Sequence, residues 1–134
     1  MKSLSSYHTS NGITHLCRYH VIFCTKYRRK IFRNGLEASV QDIFAQIANE
    51  RGFSIEAMDV FPNYVHLIID CDPLYGIINC VKTLKRQSPQ LIKACDPTLN
   101  TRLPFIWTRK ALIFTVGQED ETAIQDFIAA QPYE

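Results

Sequence analysis

In this sequence of 134 residues, the side chains best suited to bind a partner are two groups of cations. The first lies within eight positions beside the aromatic residues Tyr27 and Phe32, and it consists of Lys26, Arg28, Arg29, Lys30 and Arg33. The second consists of Lys82, Lys85, Arg86 and Lys93. A solvated charged face explains either group alone equally well, but two groups with aromatic neighbours favour binding to nucleic-acid phosphates. The net charge of +2 is too small to indicate such a partner by itself.

His66, in the short apolar run Tyr64–Asp70, is a further residue whose side chain could take part in chemistry. A single histidine in an apolar strand is more often a hydrogen-bonded structural residue than a metal ligand. Similarly, Phe127 lies on the apolar face of a helix-like segment, where a phenylalanine ordinarily belongs to the core. The other three histidines have no potential metal ligand at a sequence spacing typical of metal sites, and we interpret them as structural or surface residues. They are His8, His15 and His20.

Length and composition limit the classes of protein that this chain can represent. With 46% apolar residues, the chain matches one compact domain over residues 1–134 and is too short for two. The five cysteines show no Cys-x-x-Cys spacing, which indicates reduced, buried thiols and neither a disulfide framework nor a zinc ribbon. No apolar run reaches the roughly 18 to 20 residues of a membrane span. We therefore expect a soluble, cytoplasmic protein that does not associate with membranes.

The predicted elements follow the order strand, helix, strand, strand, helix, strand, helix. Apolar residues at helical spacing, followed by Gly52, predict a helix over residues 36–51. The other predicted elements are strands over 16–26, 53–61, 64–70 and 107–116, a helix over about 72–94 that Pro89 is expected to break or kink, and a helix over about 119–131. This order predicts an α+β fold of the ferredoxin-like or RRM-like βαββαβ type. An antiparallel sheet would be backed by helices, with one extra helix at the C-terminus.

Four segments together resemble one protein family, because they occur in the family's order at plausible spacing. Residues 62–69 (PNYVHLII) resemble the "P-D-H-V-H-L-L" strand of the TnpA-type HUH transposases, which use a single tyrosine and serve small hairpin-bounded insertion sequences. Residues 19–28 resemble the family's opening strand and basic turn, and residues 81–85 its central basic helix. Trp107, with residues 114–117, resembles its fourth strand.

The resemblance implies a homodimer that binds single-stranded DNA hairpins and transfers DNA strands with Mg²⁺ or Mn²⁺. In the family, two histidines on one strand face and a glutamine hold the metal, and a tyrosine on the last helix attacks the phosphate. Here Tyr64 replaces the first histidine, while His66 and Gln131 match the other ligands. Phe127 replaces the tyrosine. We expect metal binding to be weak or absent and strand cleavage to be lost, because phenylalanine has no nucleophilic oxygen.

Two interpretations of these replacements remain open. The chain is either a transposase by descent that decay or engineering has inactivated, or a domesticated nucleic-acid-binding regulator that keeps the hairpin surface. Flanking hairpins in the genome would favour the first, and a solitary gene the second. Rescue by another tyrosine is disfavoured, because Tyr133 lies off the helix face and Tyr64 occupies a ligand position. The candidate phosphate contacts are Lys26, Arg28, Arg29, Lys82, Lys85 and Arg86.

Overall fold

The computed structural model describes residues 7–99, 105–118 and 120–131. In these ranges the strands are β1 (His8–Ser10), β2 (Ile13–His15), β3 (Arg18–Cys24), β4 (Ser54–Val60), β5 (Tyr64–Asp70) and β6 (Leu112–Thr115). The α-helices are α1 (Leu36–Arg51), α2 (Ile77–Cys95) and α3 (Glu121–Ala129). A short 3-10 turn, Lys26–Arg28, follows β3.

Strands β3 to β6 form one antiparallel sheet in the order β4-β5-β3-β6. Helix α1 connects β3 to β4, and α2 connects β5 to β6, so each helix crosses over one intervening strand of the sheet. This is the split βαβ arrangement, and it confirms the α+β, ferredoxin-like prediction with an extra C-terminal helix. The β3–β5 register places Ile22 opposite His66 and Cys24 opposite Tyr64, which fixes the neighbours of both candidate ligands.

The main core lies between one face of the sheet and helices α1 and α2. Apolar side chains of α1 recur at three- and four-residue spacing and are buried, and Gly52, with a φ of 81°, ends the helix in the left-handed conformation. Trp107 is packed among the rings of Phe23, Phe32 and Phe44, and its indole N–H donates to the buried Ser88 hydroxyl over 2.9 Å. A satisfied indole N–H is what burial of tryptophan requires.

Helix α3 packs on a second apolar cluster that includes the other face of β3. Its first turn is capped by the Asp120 carboxylate, which accepts from the Ala123 N–H over 3.1 Å. Ile124 and Ile128 are buried against Ile22 and Cys24. Because side chains alternate across a strand, this is the face that also carries Tyr64 and His66.

Several boundaries differ from those predicted by the sequence. Helix α2 begins at Ile77 and runs through Pro89 to Cys95, so the expected break does not occur. The strand predicted over residues 107–116 is shorter in the structure, where β6 covers only Leu112–Thr115. Trp107 forms only an isolated bridge to Thr25. The hairpin of β1 and β2 was not predicted. Its two-residue Asn11-Gly12 turn has positive φ angles of 52° and 77°, which is typical of a tight hairpin.

Candidate functional site

The candidate site lies on the sheet face that α3 partly covers. Strand alternation directs His20, Ile22 and Cys24 of β3 to this face, next to Tyr64 and His66 of β5. Leu112 and Phe114 of β6 complete the surface on the other side of β3. A helix seated on a sheet face of this kind brings residues from distant parts of the chain together.

His66 is paired with His20, a residue without a ligand-type partner nearby in the sequence. His20 Nδ1 lies 2.8 Å from His66 Nε2, and the two ring centroids are 5.1 Å apart. His20 is buried and stacks on Phe114, with centroids 4.7 Å apart and planes 16° from parallel. A buried, hydrogen-bonded His20 agrees with the interpretation of this residue as structural, and the antiparallel register of β3 and β5 joins it to a residue that is distant in sequence.

The charge state of His66 is set by this pairing and by burial. Burial lowers the pKa of His66, the neighbouring His20 lowers it further, and Asp59 and Glu121 act in the opposite direction. Asp59 is the register partner of His66 on β4, and Glu121 lies in the first turn of α3. An N···N hydrogen bond needs one unprotonated ring nitrogen as its acceptor. A lowered pKa keeps the His66 ring neutral over more of the pH range, which favours this hydrogen bond.

Tyr64 is a half-buried phenol held by aromatic and polar contacts. Its ring stacks on Phe61, with centroids 4.4 Å apart and planes 15° from parallel. Burial raises the pKa of Tyr64, although a hydrogen bond with Gln125 acts to lower it. The hydroxyl is therefore protonated at neutral pH and is a poor donor to a metal ion.

Phe127 and Gln131 lie one helical turn apart at the end of α3. The Phe127 ring is half-buried against the cluster of Ile22, Cys24, Ile124 and Ile128. Gln131 is buried; its amide N–H donates to the Phe127 carbonyl over 3.2 Å, and its Oε1 has no hydrogen-bond partner within the described ranges. Tyr133, the other tyrosine considered for cleavage, lies outside the described residues.

These contacts provide a test of the metal site that the resemblance implies. Gln131 Oε1 is a buried oxygen that a cation could use, but His66 Nε2 is bonded to His20 and Tyr64 offers a protonated phenol. Among the described residues, no group of three or more His, Cys, Asp or Glu side chains is arranged to hold an ion. The residues present do not fit a site for Mg²⁺ or Mn²⁺, which favour oxygen ligands and well-formed coordination shells.

The predicted phosphate-binding cations fall into two sets, and the first faces solvent. Lys82 and Arg86 are exposed on α2, and Arg29 is exposed after β3. The Lys26 ammonium lies 5.4 Å from the centroid of the Tyr27 ring, and the Arg29 guanidinium lies 5.9 Å from it. Tyr27 therefore makes cation–π contacts with two cations of the basic turn.

The second set, Lys85 and Arg28, is used inside the protein. Lys85 Nζ donates to the carbonyls of Thr108 and Lys110 over 2.9 and 2.8 Å and lies 5.0 Å from the Phe23 ring centroid. Burial lowers the pKa of Lys85 to about 8. Arg28 Nη1 donates to the Ile128 carbonyl over 3.1 Å, which ties the turn after β3 to α3. Both side chains hold elements of the fold together, and their phosphate-binding role stays a prediction.

Comparison with known proteins places this arrangement in a family. Residues 13–131 match the family described as "Transposase IS200 like". The chain belongs to this family. The ISDra2 transposase TnpA of Deinococcus radiodurans is 30% identical over 122 residues, covering 90% of this chain and 87% of the relative. The transposase for insertion sequence element IS200 of Salmonella typhimurium is 25% identical over 117 residues, covering 86% of this chain and 76% of the relative.

Solved structures show the same fold. A crystal structure of a candidate transposase from Deinococcus radiodurans R1 superposes with a TM-score of 0.86 at 28% identity, covering 95% of this chain and 99% of that one. A REP-associated tyrosine transposase bound to a REP hairpin has a TM-score of 0.55 at 12% identity and covers 92% and 70% of the two chains. At that identity the second likeness concerns the fold alone. Within the described residues of this IS200-like transposase, no helix has the length and apolar character needed to cross a membrane.

Proposed function

We propose that this IS200-like transposase binds single-stranded DNA hairpins at insertion-sequence ends and does not cut them. The observation that carries the proposal is Phe127, a half-buried ring where the resemblance requires a tyrosine, within a fold that is otherwise complete. Membership of a transposase family indicates DNA as the substrate, and the structural neighbour bound to a REP hairpin supports a hairpin as the ligand. Binding and cleavage are separable, because binding relies on surface cations and cleavage on one hydroxyl group.

Loss of cleavage follows from the chemistry of residue 127. Attack on a phosphodiester needs an oxygen that becomes bonded to phosphorus, and the phenyl ring of Phe127 has none. Tyr64 lies on the same sheet face, but burial raises the pKa of its hydroxyl, which therefore stays protonated and is a weak nucleophile. We therefore assign no nucleophile to this face. Mg²⁺ or Mn²⁺, if bound through His66 and Gln131, would be held weakly.

The proposed DNA surface combines the exposed cations with the aromatic ring of the basic turn. Lys26 and Arg29 flank Tyr27, and Lys82 and Arg86 extend along the exposed side of α2. Phosphate contacts would position the stem, and an unpaired loop base would stack on Tyr27. A homodimer in the cytoplasm, with each subunit binding one hairpin, is part of the same proposal.

The second candidate function, a domesticated regulator, shares the hairpin surface and differs in what the binding achieves. Phe127 and Tyr64 are compatible with both, since each replacement removes chemistry without removing a surface cation. The genomic setting separates the two functions: flanking hairpins of an insertion sequence favour a decayed transposase, and a solitary gene favours a regulator.

A titration of labelled DNA tests the binding proposal. A hairpin with unpaired loop bases and a linear duplex of the same stem sequence are titrated with protein at low and moderate salt. We expect tighter binding to the hairpin and an affinity that falls steeply with salt, because cations release counterions from phosphates. Equal affinity for the two DNAs would refute hairpin recognition.

A further inference from the structure

A small cavity lies between the β1–β2 hairpin and the end of β5, away from the cations assigned to the DNA surface. Its volume is about 190 Å³, which is less than the roughly 300 Å³ at which pockets for drug-sized ligands begin. Most of its lining consists of side chains that form hydrogen bonds, among them His8, Ser10, His15, Ser54, Asp70 and Asp72. A cavity of this size and polarity suits one small polar group, such as a single nucleobase.

Two buried side chains of this lining each have an atom without a hydrogen-bond partner. Asp70 Oδ2 accepts from His8 Nε2–H over 2.8 Å, whereas Asp70 Oδ1 has no partner within the described ranges. His15 Nε2 lies 3.0 Å from Ser10 Oγ, and His15 Nδ1 likewise has no partner in those ranges. Because buried polar groups are normally hydrogen-bonded, the two atoms indicate a ligand in the cavity that both residues line.

We propose that this cavity binds one unpaired guanine base of the DNA through its Watson–Crick edge. The inference rests on the proposed function, because DNA binding supplies the class of ligand. Proteins commonly recognise unpaired bases by hydrogen bonds to that edge. The carboxylates of Asp70 and Asp72 repel a phosphate group, so the base would enter the cavity while the DNA backbone stays outside.

The hydrogen-bonding pattern of the lining selects guanine among the four bases. An ionised carboxylate such as Asp70 only accepts hydrogen bonds. Guanine presents two adjacent donors, N1–H and the exocyclic amino group, to the two carboxylate oxygens. Adenine and cytosine place an acceptor nitrogen beside their amino group, and thymine has one donor between two carbonyls. These acceptors would face the carboxylate and be repelled.

His15 would read the third group on the guanine edge, the carbonyl oxygen O6. In the tautomer in which the Ser10 hydroxyl donates to His15 Nε2, the hydrogen of the ring is on Nδ1. His15 Nδ1–H would then donate to O6, which lies next to N1–H on the base. One acceptor and two donors of guanine are thus matched by His15 and Asp70.

His8 controls access to the Asp70 carboxylate. The His8 side chain is 54% exposed, whereas the Asp70 side chain is only 4% exposed. Exposed side chains change rotamer within nanoseconds, so His8 can leave Asp70 without a change in the fold. The two guanine donors would then replace the hydrogen bond from His8, and the buried carboxylate stays paired in both states.

The position of the cavity suits a base of a DNA strand that lies on the candidate sheet face. Asp70 follows His66 by four residues on β5, so both side chains lie on the same face, about 13 Å apart along the strand. A strand that passes His66 would therefore reach the cavity with a nearby unpaired base.

NMR titration of the ¹⁵N-labelled full chain with short single strands tests the site. The probes are an oligothymidine that carries one guanine and matched strands with hypoxanthine, adenine or cytosine in its place. We expect the amide signals of Ser54 and Asp70 to shift with the guanine strand. Hypoxanthine lacks the amino group and should bind about 10-fold more weakly, because one hydrogen bond to a charged group is lost. Equal affinities, or unchanged signals at Asp70, would overturn the proposal.

One substitution and a matched control locate the preference. Asp70→Asn replaces a carboxylate oxygen by an amide that donates, so the guanine strand should lose its advantage over hypoxanthine. Asp59→Asn removes the same charge from an exposed position on β4 and should keep that advantage. A preference that survives in Asp70→Asn, or disappears in Asp59→Asn, contradicts the assignment. If Asp70→Asn unfolds, the hypoxanthine comparison on the unaltered protein decides.

Two parallel measurements separate this inference from its alternatives. A titration with arginine amide tests whether the cavity prefers a guanidinium group, and stronger shifts at Asp70 than with the guanine strand would refute guanine as the ligand. DNA-hairpin affinity is measured on the same protein. Hairpin binding without a preference for guanine would defeat this inference alone, whereas guanine-dependent shifts without hairpin binding would defeat the proposed hairpin recognition and leave the cavity assigned.

Discussion

Restoring the two missing side chains is the most informative perturbation of the site. Phe127→Tyr returns a hydroxyl to α3, and Tyr64→His returns an imidazole beside His66. Gln131 Oε1 is already buried and unpartnered within the described ranges, so it can serve as the third ligand. We predict that the double variant forms a covalent phosphotyrosyl adduct with a cognate DNA hairpin in Mg²⁺ or Mn²⁺, and that each single variant forms little or none.

The fold should tolerate both changes. Tyr64→His removes the stacking on Phe61 and some half-buried ring volume, which should cost about 1 to 3 kcal/mol. Phe127→Tyr adds one hydroxyl to a half-buried ring and should cost on the order of 1 kcal/mol. Single domains are ordinarily stable by roughly 5 to 15 kcal/mol, so the double variant should remain folded.

Labelled hairpin DNA and a denaturing gel provide the assay, because only a covalent adduct survives denaturation. Circular dichroism and a native gel establish that the double variant is folded and binds the hairpin. If a folded, hairpin-binding double variant remains inert with both metals, the two replacements do not account for the loss of cleavage. The hydrogen bond that directs His66 Nε2 to His20 would then be the next feature to remove.

Three further predictions concern the cations and the thiols. Lys85→Met should lower the free energy of unfolding by about 1 to 3 kcal/mol in urea denaturation, because the hydrogen bonds from Lys85 to two backbone carbonyls are lost. The matched change at the exposed Lys82, Lys82→Met, should alter the free energy of unfolding by less than about 0.5 kcal/mol. Lys82→Gln and Arg86→Gln should each reduce the salt dependence of hairpin binding by about one counterion, and unchanged slopes would exclude them from the interface. With a thiol reagent, the exposed Cys95 should react rapidly and the buried Cys80 only on unfolding; fast reaction of both would contradict the burial.

Much of the fold could be predicted because its signals are local. Helix α1 shows apolar residues at helical spacing and ends at Gly52, and both features appear directly in the sequence. The Asn11-Gly12 turn is an equally local signal for the hairpin of β1 and β2, although the predicted elements do not include this hairpin. Pro89 does not break α2 as predicted, since packing of α2 outweighs the one backbone hydrogen bond that proline removes.

The site was harder to predict because it depends on non-local contacts. His20 and His66 are 46 residues apart, and only the pairing of β3 with β5 brings them together. The inward position of Lys85 had a local signal: it lies four residues after the buried Val81 and three before the buried Ser88, on the apolar side of α2. Charge alone suggested a phosphate contact, whereas helical periodicity indicated a lysine whose stem packs against the core.

The measurement that tests the central proposal most directly uses the unaltered protein, one labelled hairpin and two gels. The protein is incubated with the hairpin and Mg²⁺ or Mn²⁺, and the same sample is divided between a native and a denaturing gel. The proposed function predicts a shifted complex on the native gel and neither adduct nor cleaved DNA on the denaturing gel, because residue 127 is a phenylalanine. A covalent adduct or cleaved strand formed by the unaltered protein would contradict it, as would the absence of any hairpin complex.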